Sequence, residues 1–226
     1  MKLMHPCFEE PLELIEGIPN ILVVEEKSLR IRIIEDLLLQ VQNGEGNFVL
    51  SENDDILRID KVAEFLTDPF SLDINQKKIL SKVQSTLKEL AGNESNYAET
   101  IRVIGELNSY FEKLGAQVQY PIVFNENMDF QDLIKISGAK IASESETFFE
   151  NLINYICLIN DVLGITLLIT WNLQLYINEE ELKELFKIAN YKKINLILIE
   201  SFDLTEHSLL ERVTIIDKDL CVIRNF

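Results

Sequence analysis

At 226 residues, 47% of them hydrophobic, the chain can bury one large core or two small ones, and general disorder is excluded. Its 38 acids against 21 bases give a formal charge of -17, which rules out a uniformly basic, nucleic-acid-coating surface but leaves room for a local basic face. Three cysteines (Cys7, Cys157, Cys221) with no CxxC pair indicate neither a disulfide framework nor a thiolate zinc site, and suit small core residues in a reducing cytoplasm.

The N-terminus carries no apolar segment of signal-peptide length before Glu9 and Glu10. Residues 3 to 15 predict a strand pair turned near Glu10-Pro11, and Ile21 to Val24 a buried strand. A helix follows, with Leu29, Ile33, Leu37, Leu38 and Val41 at helical spacing and Asn43-Gly44 closing it. Phe48-Val49-Leu50 predicts a short strand, and the acidic cluster Ser51 to Asp55 a loop.

From about Asp60 to Ser137 the strand signal largely disappears. Asp73 with Gln76 predicts a helix start, and Ile79, Leu80, Val83, Leu87 and Leu90 its apolar stripe, stopped by Gly92. A longer helix carries Tyr97, Ile101, Ile104, Leu107, Phe111 and Leu114 to Gly115; Tyr97, Tyr110 and Phe111 read as the core of a helical hairpin. Tyr120 to Phe124 predicts an extended return, followed by a short helix through Phe130, Leu133 and Ile134.

Ser143 with Glu146 predicts a capping box for a helix carrying Phe149, Leu152, Ile156, Ile159 and Leu163. Ile165 to Trp171 then reads as a strand buried on both faces. The region from Leu152 to Ile177 is too interrupted by Asn, Asp, Gly and Gln for a lipid span of about 20 apolar residues. Asn178 with Glu181 caps the next helix, Leu196 to Ile199 is a further strand, and Val213 to Ile216 with Leu220 to Ile223 form a terminal hairpin. Buried strands joined by helical crossovers predict an α/β fold with a largely parallel sheet. The expected division is a head of residues 1 to 59 and 138 to 226, with a helical leg, 60 to 137, inserted between.

No residue pattern announces a reaction. Strand, Lys27-Ser28, helix is the skeleton of a phosphate-binding loop, but its glycines are missing, and Glu25 and Glu26 stand where a triphosphate would lie. A degenerate nucleotide hydrolase is thus one alternative, and an acidic protein-interaction scaffold another. His5 and His207 read as solvated, with no spacing that suggests a catalytic triad. Asn125 to Asp132 is rich in hard oxygen donors without the register of an EF-hand: it is either an irregular calcium site completed by distant residues or helix-cap chemistry. Lys77, Lys78, Lys82 and Lys88 give residues 71 to 90 a local excess of base; they form either a solvated face or a surface that tracks phosphates.

Glu9-Glu10-Pro11-Leu12-Glu13, Ile21 to Glu25, Leu72-Asp73-Ile74-Asn75, and Asp132-Leu133-Ile134-Lys135 through Gly138-Ala139-Lys140-Ile141 together resemble, along essentially the whole chain, the small CRISPR-associated protein of subtype II-A systems that assists spacer acquisition in antiviral defence. The resemblance implies a head similar to P-loop ATPases without their nucleotide site, a helical leg, and a homotetrameric ring without enzymatic activity. It implies binding to double-stranded DNA ends through a lysine-lined hole, with calcium supporting the assembly, beside the integrase proteins and effector nuclease of the locus. Carried over by residue, Lys135 and Lys140 are the first DNA contacts, with Lys77, Lys78 and Lys82 added from local charge. Glu126, Asp129 and Asp132 are the expected calcium ligands.

Overall fold

The computed structural model describes residues 1–125, 128–142, 145–203 and 211–225. It divides into two compact units, Met1–Leu72 with Ser145–Phe226, and Asp73–Glu144. The inserted unit is therefore bounded at 72/73 and 144/145, rather than at the expected 59/60 and 137/138.

The first boundary shifts because of a strand in the region expected to lack one. After β1 (Lys2–Met4), β2 (Leu12–Glu13), β3 (Asn20–Val24), α1 (Lys27–Asn43), β4 (Val49–Glu52), β5 (Asp55–Leu57) and the short α2 (Ile59–Val62) comes β6 (Ala63–Leu66). It pairs in parallel with β7 (Leu167–Trp171), and the charge of Glu64 is accommodated by the Tyr155 hydroxyl, which donates to its carboxylate at 3.1 Å. Beyond β7 the chain forms α7 (Glu179–Tyr191), β8 (Asn195–Glu200), β9 (Arg212–Ile216) and β10 (Val222–Asn225). The six-stranded sheet runs β10-β9-β3-β8-β7-β6, with every pairing parallel except the terminal hairpin β9-β10.

Strand β3 is buried along its whole length, as a central parallel strand covered on both faces must be. A second, antiparallel sheet, β2-β1-β4-β5, contributes Leu3, Leu12 and Leu50 to one core with Leu22, Val24, Ile197 and Ile199 of the large sheet and Ile33 and Leu37 of α1. The acidic stretch Ser51 to Asp55 is a hairpin within this sheet rather than a loop. Asn53 and Asp54 take positive φ angles of 49° and 69°, the conformation a tight two-residue turn requires. His5 is also corrected. It is buried among Phe8 and Phe48, with Nε2 2.9 Å from the Asp36 carboxylate and Nδ1 accepting from the Cys7 amide. His207 lies outside the described residues.

Of the predicted caps, Asn178-Glu181 is a complete capping box on α7. The box of α6 (Phe148–Leu163) is Thr147-Glu150 instead of Ser143-Glu146; Ser143 lies outside the described residues.

In the inserted unit, α3 (Lys77–Ala91), α4 (Tyr97–Gly115) and α5 (Phe130–Ser137) carry the predicted helices, and α3 lies against α5. The expected hairpin core is found only in part: Ile104, Leu107 and Phe111 are half-buried along one stripe of α4. No residue of α4 is buried, and Tyr97 and Tyr110 are exposed. The return through Tyr120 to Phe124 forms no regular element; Phe124 stacks on Phe111 at 5.6 Å and closes on Gly115, where a Cβ would lie 2.8 Å from its ring.

Candidate nucleic-acid interface

The lysines expected to contact DNA and the described carboxylates expected to bind calcium all fall in the inserted unit. Residues 73–144 contain eight bases and ten acids, a net of -2, so -15 of the chain's -17 lies in the other unit. A polyanion therefore meets far less repulsion on the insertion.

Two segments of this unit are tied together at its base. Asn75 donates through Nδ2 to the Ile141 carbonyl at 3.1 Å and accepts the Ile141 amide on Oδ1 at 2.8 Å. This clamp holds Lys140, one residue before Ile141, beside the start of α3, where Lys77 and Lys78 stand. Asp73, expected to begin the helix, instead forms a turn with the Asn75 amide, and α3 starts at Lys77 with no side-chain cap. Two cations in a first turn run against the helix dipole, which favours anions there. Lys82 follows one turn after Lys78, and Lys77, Lys78, Lys82, Lys135 and Lys140 are all exposed.

Lys135 lies in the last turn of α5, 3.6 Å from the Asp132 carboxylate. Both side chains are about half exposed, and such a pair is worth roughly 0–1 kcal/mol, so Lys135 can exchange that partner for a phosphate.

Asp129 and Asp132 form a capping box on α5: Asp129 Oδ1 accepts the Asp132 amide at 3.1 Å, and Asp132 accepts the Asp129 amide in return. Asp129 also receives Lys88 Nζ at 2.9 Å, which together with the helix amide holds its carboxyl below the ordinary carboxylate range. Lys88 was legible as a base but not as the partner of this turn. The carboxylates suit calcium as adjacent hard donors, yet two fall short of its six to eight oxygens. No group of three or more His, Cys, Asp or Glu among the described residues could hold a metal, and Glu126 lies outside them.

The phosphate-loop skeleton has a clear local outcome. Glu26 is the N-cap of α1, and its carboxylate accepts the amides of Ser28 at 2.9 Å and Leu29 at 2.5 Å. It occupies the position a bound phosphate would take at that helix end. Those two bonds also lower its carboxyl below the ordinary value. Arg30 turns back to the Val24 carbonyl at 3.1 Å and lies 6.0 Å from the Trp171 ring, closing the same edge of the sheet.

The family model for "CRISPR-associated protein (Cas_Csn2)" matches residues 40–220. The CRISPR-associated protein Csn2 of Streptococcus agalactiae is 25% identical over 238 residues, spanning 99% of this chain and 97% of that protein. Among solved structures, an ABC transporter ATP-binding protein of Pyrococcus furiosus matches at 14% identity and a TM-score of 0.35, over 90% of this chain and 87% of the other. No helix among the described residues is long and apolar enough to cross a membrane.

Proposed function

The chain belongs to the Csn2 family of CRISPR-associated proteins, and on that premise we propose that it is a non-catalytic clamp for the ends of double-stranded DNA, used in spacer acquisition. The observation that carries the reading is the Asn75–Ile141 clamp, which gathers Lys140, Lys77 and Lys78 on the least acidic part of the chain. Lys82 lies one turn beyond Lys78 on α3, and Lys135 is in the last turn of α5, which packs against α3. The contacts are to phosphates, so binding is independent of sequence.

The working form is a homotetrameric ring. Exposed apolar side chains on two flanks of α4, Tyr97 with Ile101 on one and Tyr110 with Leu114 on the other, support assembly through the inserted unit. Calcium would be held by Asp129 and Asp132, with Glu126 and a further copy supplying the remaining oxygens; its charge would neutralise carboxylates close to the DNA. The CRISPR integrase proteins and the effector nuclease of the locus are the expected partners.

Substituting Lys135 and Lys140 together with Glu tests the site. Affinity for a short linear duplex falls by at least about tenfold while the assembly mass stays unchanged, and the wild-type affinity falls with salt at a log-log slope of about -0.9 per phosphate contacted. Unchanged affinity in the variant removes these lysines from the interface, and a salt-insensitive complex removes the mechanism.

A further inference from the structure

A cavity of about 270 Å³ lies in the larger unit, lined by Glu10, Leu12, Glu13, Asn20, Arg212, Thr214 and Arg224 among others. It is far in the fold from the C-terminal strand ends where α/β proteins usually bind ligands, being built at the starts of β3 and β9. Its floor follows from strand register. Asn20 is the neighbour of Arg212 across β3 and β9, and Thr214 is the neighbour of Arg224 across β9 and β10. Arg212 and Thr214 are two apart on one strand, so all four side chains share a face. Further along the same face the residues are apolar, Leu22, Val24 and Ile216. The polar end is thus a distinct feature of the sheet.

The two arginines are fixed and the acids above them are loose. Arg212 and Arg224 are about four-fifths buried, at 18% and 20% side-chain exposure, whereas their partners Glu13 and Glu10 are 50% and 69% exposed. Arg212 Nη1 donates to Glu13 at 3.0 Å; Arg224 donates from Nη1 to the Glu10 carboxylate and from Nη2 to the Glu10 carbonyl at 3.3 Å. Asn20 is buried, and its Nδ2 has no hydrogen-bond acceptor among the described residues. An unmet buried donor destabilises the fold, and the two guanidiniums lining the same cavity are groups that recognise carboxylate and phosphate in paired hydrogen bonds. The exposed glutamates already demonstrate the chemistry these arginines accept.

We propose that this cavity binds a compact oxyanion, the phosphate or carboxylate group of a small molecule, and that Glu10 and Glu13 are removable covers that compete with it for Arg224 and Arg212. The ligand would take the arginine bonds as the glutamates swing to solvent, and would supply an acceptor near Asn20. No covalent chemistry is involved.

Thermal melting of the full chain without DNA, in sodium phosphate, acetate or chloride at one pH and one ionic strength, tests this. Phosphate or acetate raises the melting temperature above the chloride value, and which of the two acts identifies the group. In an E10Q/E13Q variant the anion concentration needed for half of that shift falls about tenfold, because the competing charges are gone. R224Q abolishes the shift. Equal melting in all three salts, a shift retained in R224Q, or no tightening in E10Q/E13Q overturns the proposal; the last comparison decides it even where R224Q folds poorly.

Discussion

Glu200 ends β8 fully buried, with one carboxylate oxygen accepting the Gln174 amide at 3.3 Å and the other unpartnered among the described residues. Burial raises its carboxyl from 4.5 to about 7, against the smaller opposing effect of backbone amides from Gln174 and Leu173. Both native and unfolded chains hold this proton below about 4.5. As pH rises to about 7 the unfolded chain releases it first, so native stability falls across that window and levels off above it, by at most about 3 kcal/mol. Urea unfolding at pH 5 and pH 8 should show this fall in the wild type and a smaller one in Glu200→Gln; equal falls would contradict it. The sequence presents Glu200 only as a polar residue after Leu196 to Ile199. Nothing local distinguishes a strand-end carboxylate facing solvent from one under Leu173 and Gln174. His5 escaped for the same reason: its burial depends on Phe8 and Phe48, brought together by the pairing of β1 with β4, and on Asp36 of α1.

At the level of elements, periodicity and caps were legible wherever a segment was long or its turn chemistry specific. The strands β3, β7 and β8, the helix α1 with Gly44 at φ 77°, and the Asn178-Glu181 box were all readable in this way. Strand β6 was not, since Ala63-Glu64-Phe65-Leu66 is four residues long, contains a charge and follows α2 without a break. Nor was the fate of α4, because a 3.6-residue apolar repeat announces a face that seeks cover without saying which chain provides it. Of the proposed site, the lysines and acids were visible, but the Asn75–Ile141 clamp joins residues 66 apart and Lys88 reaches Asp129 across 41. Glu26 carries the sharpest prediction at this scale. Glu26→Ala leaves two amides of α1 uncapped and lowers the melting temperature at neutral pH. The lowered carboxyl of Glu26 means that its contribution is present above the ordinary carboxylate range and fades as pH falls through the depressed value. Equilibrium dialysis of the wild type with labelled ATP and magnesium should find no binding at this turn; stoichiometric binding would restore the nucleotide reading.

For the whole molecule, the decisive feature is the uneven charge: -15 on the larger unit and -2 on the insertion. An acidic protein can hold DNA on such an insertion, and gains further if copies combine their lysines around one duplex. Ile101→Glu places a charge on the exposed Tyr97–Ile101 flank of α4 and should reduce the solution mass from tetramer to smaller species, as should calcium chelation of the wild type; an unchanged mass in the variant would exclude this flank from the assembly. The end-binding claim itself is tested most directly by competition in the presence of calcium between a blunt linear duplex and a covalently closed circle of the same sequence. A clamp that must be threaded from an end binds the linear form and leaves the circle free. Equal affinity for the circle would contradict it.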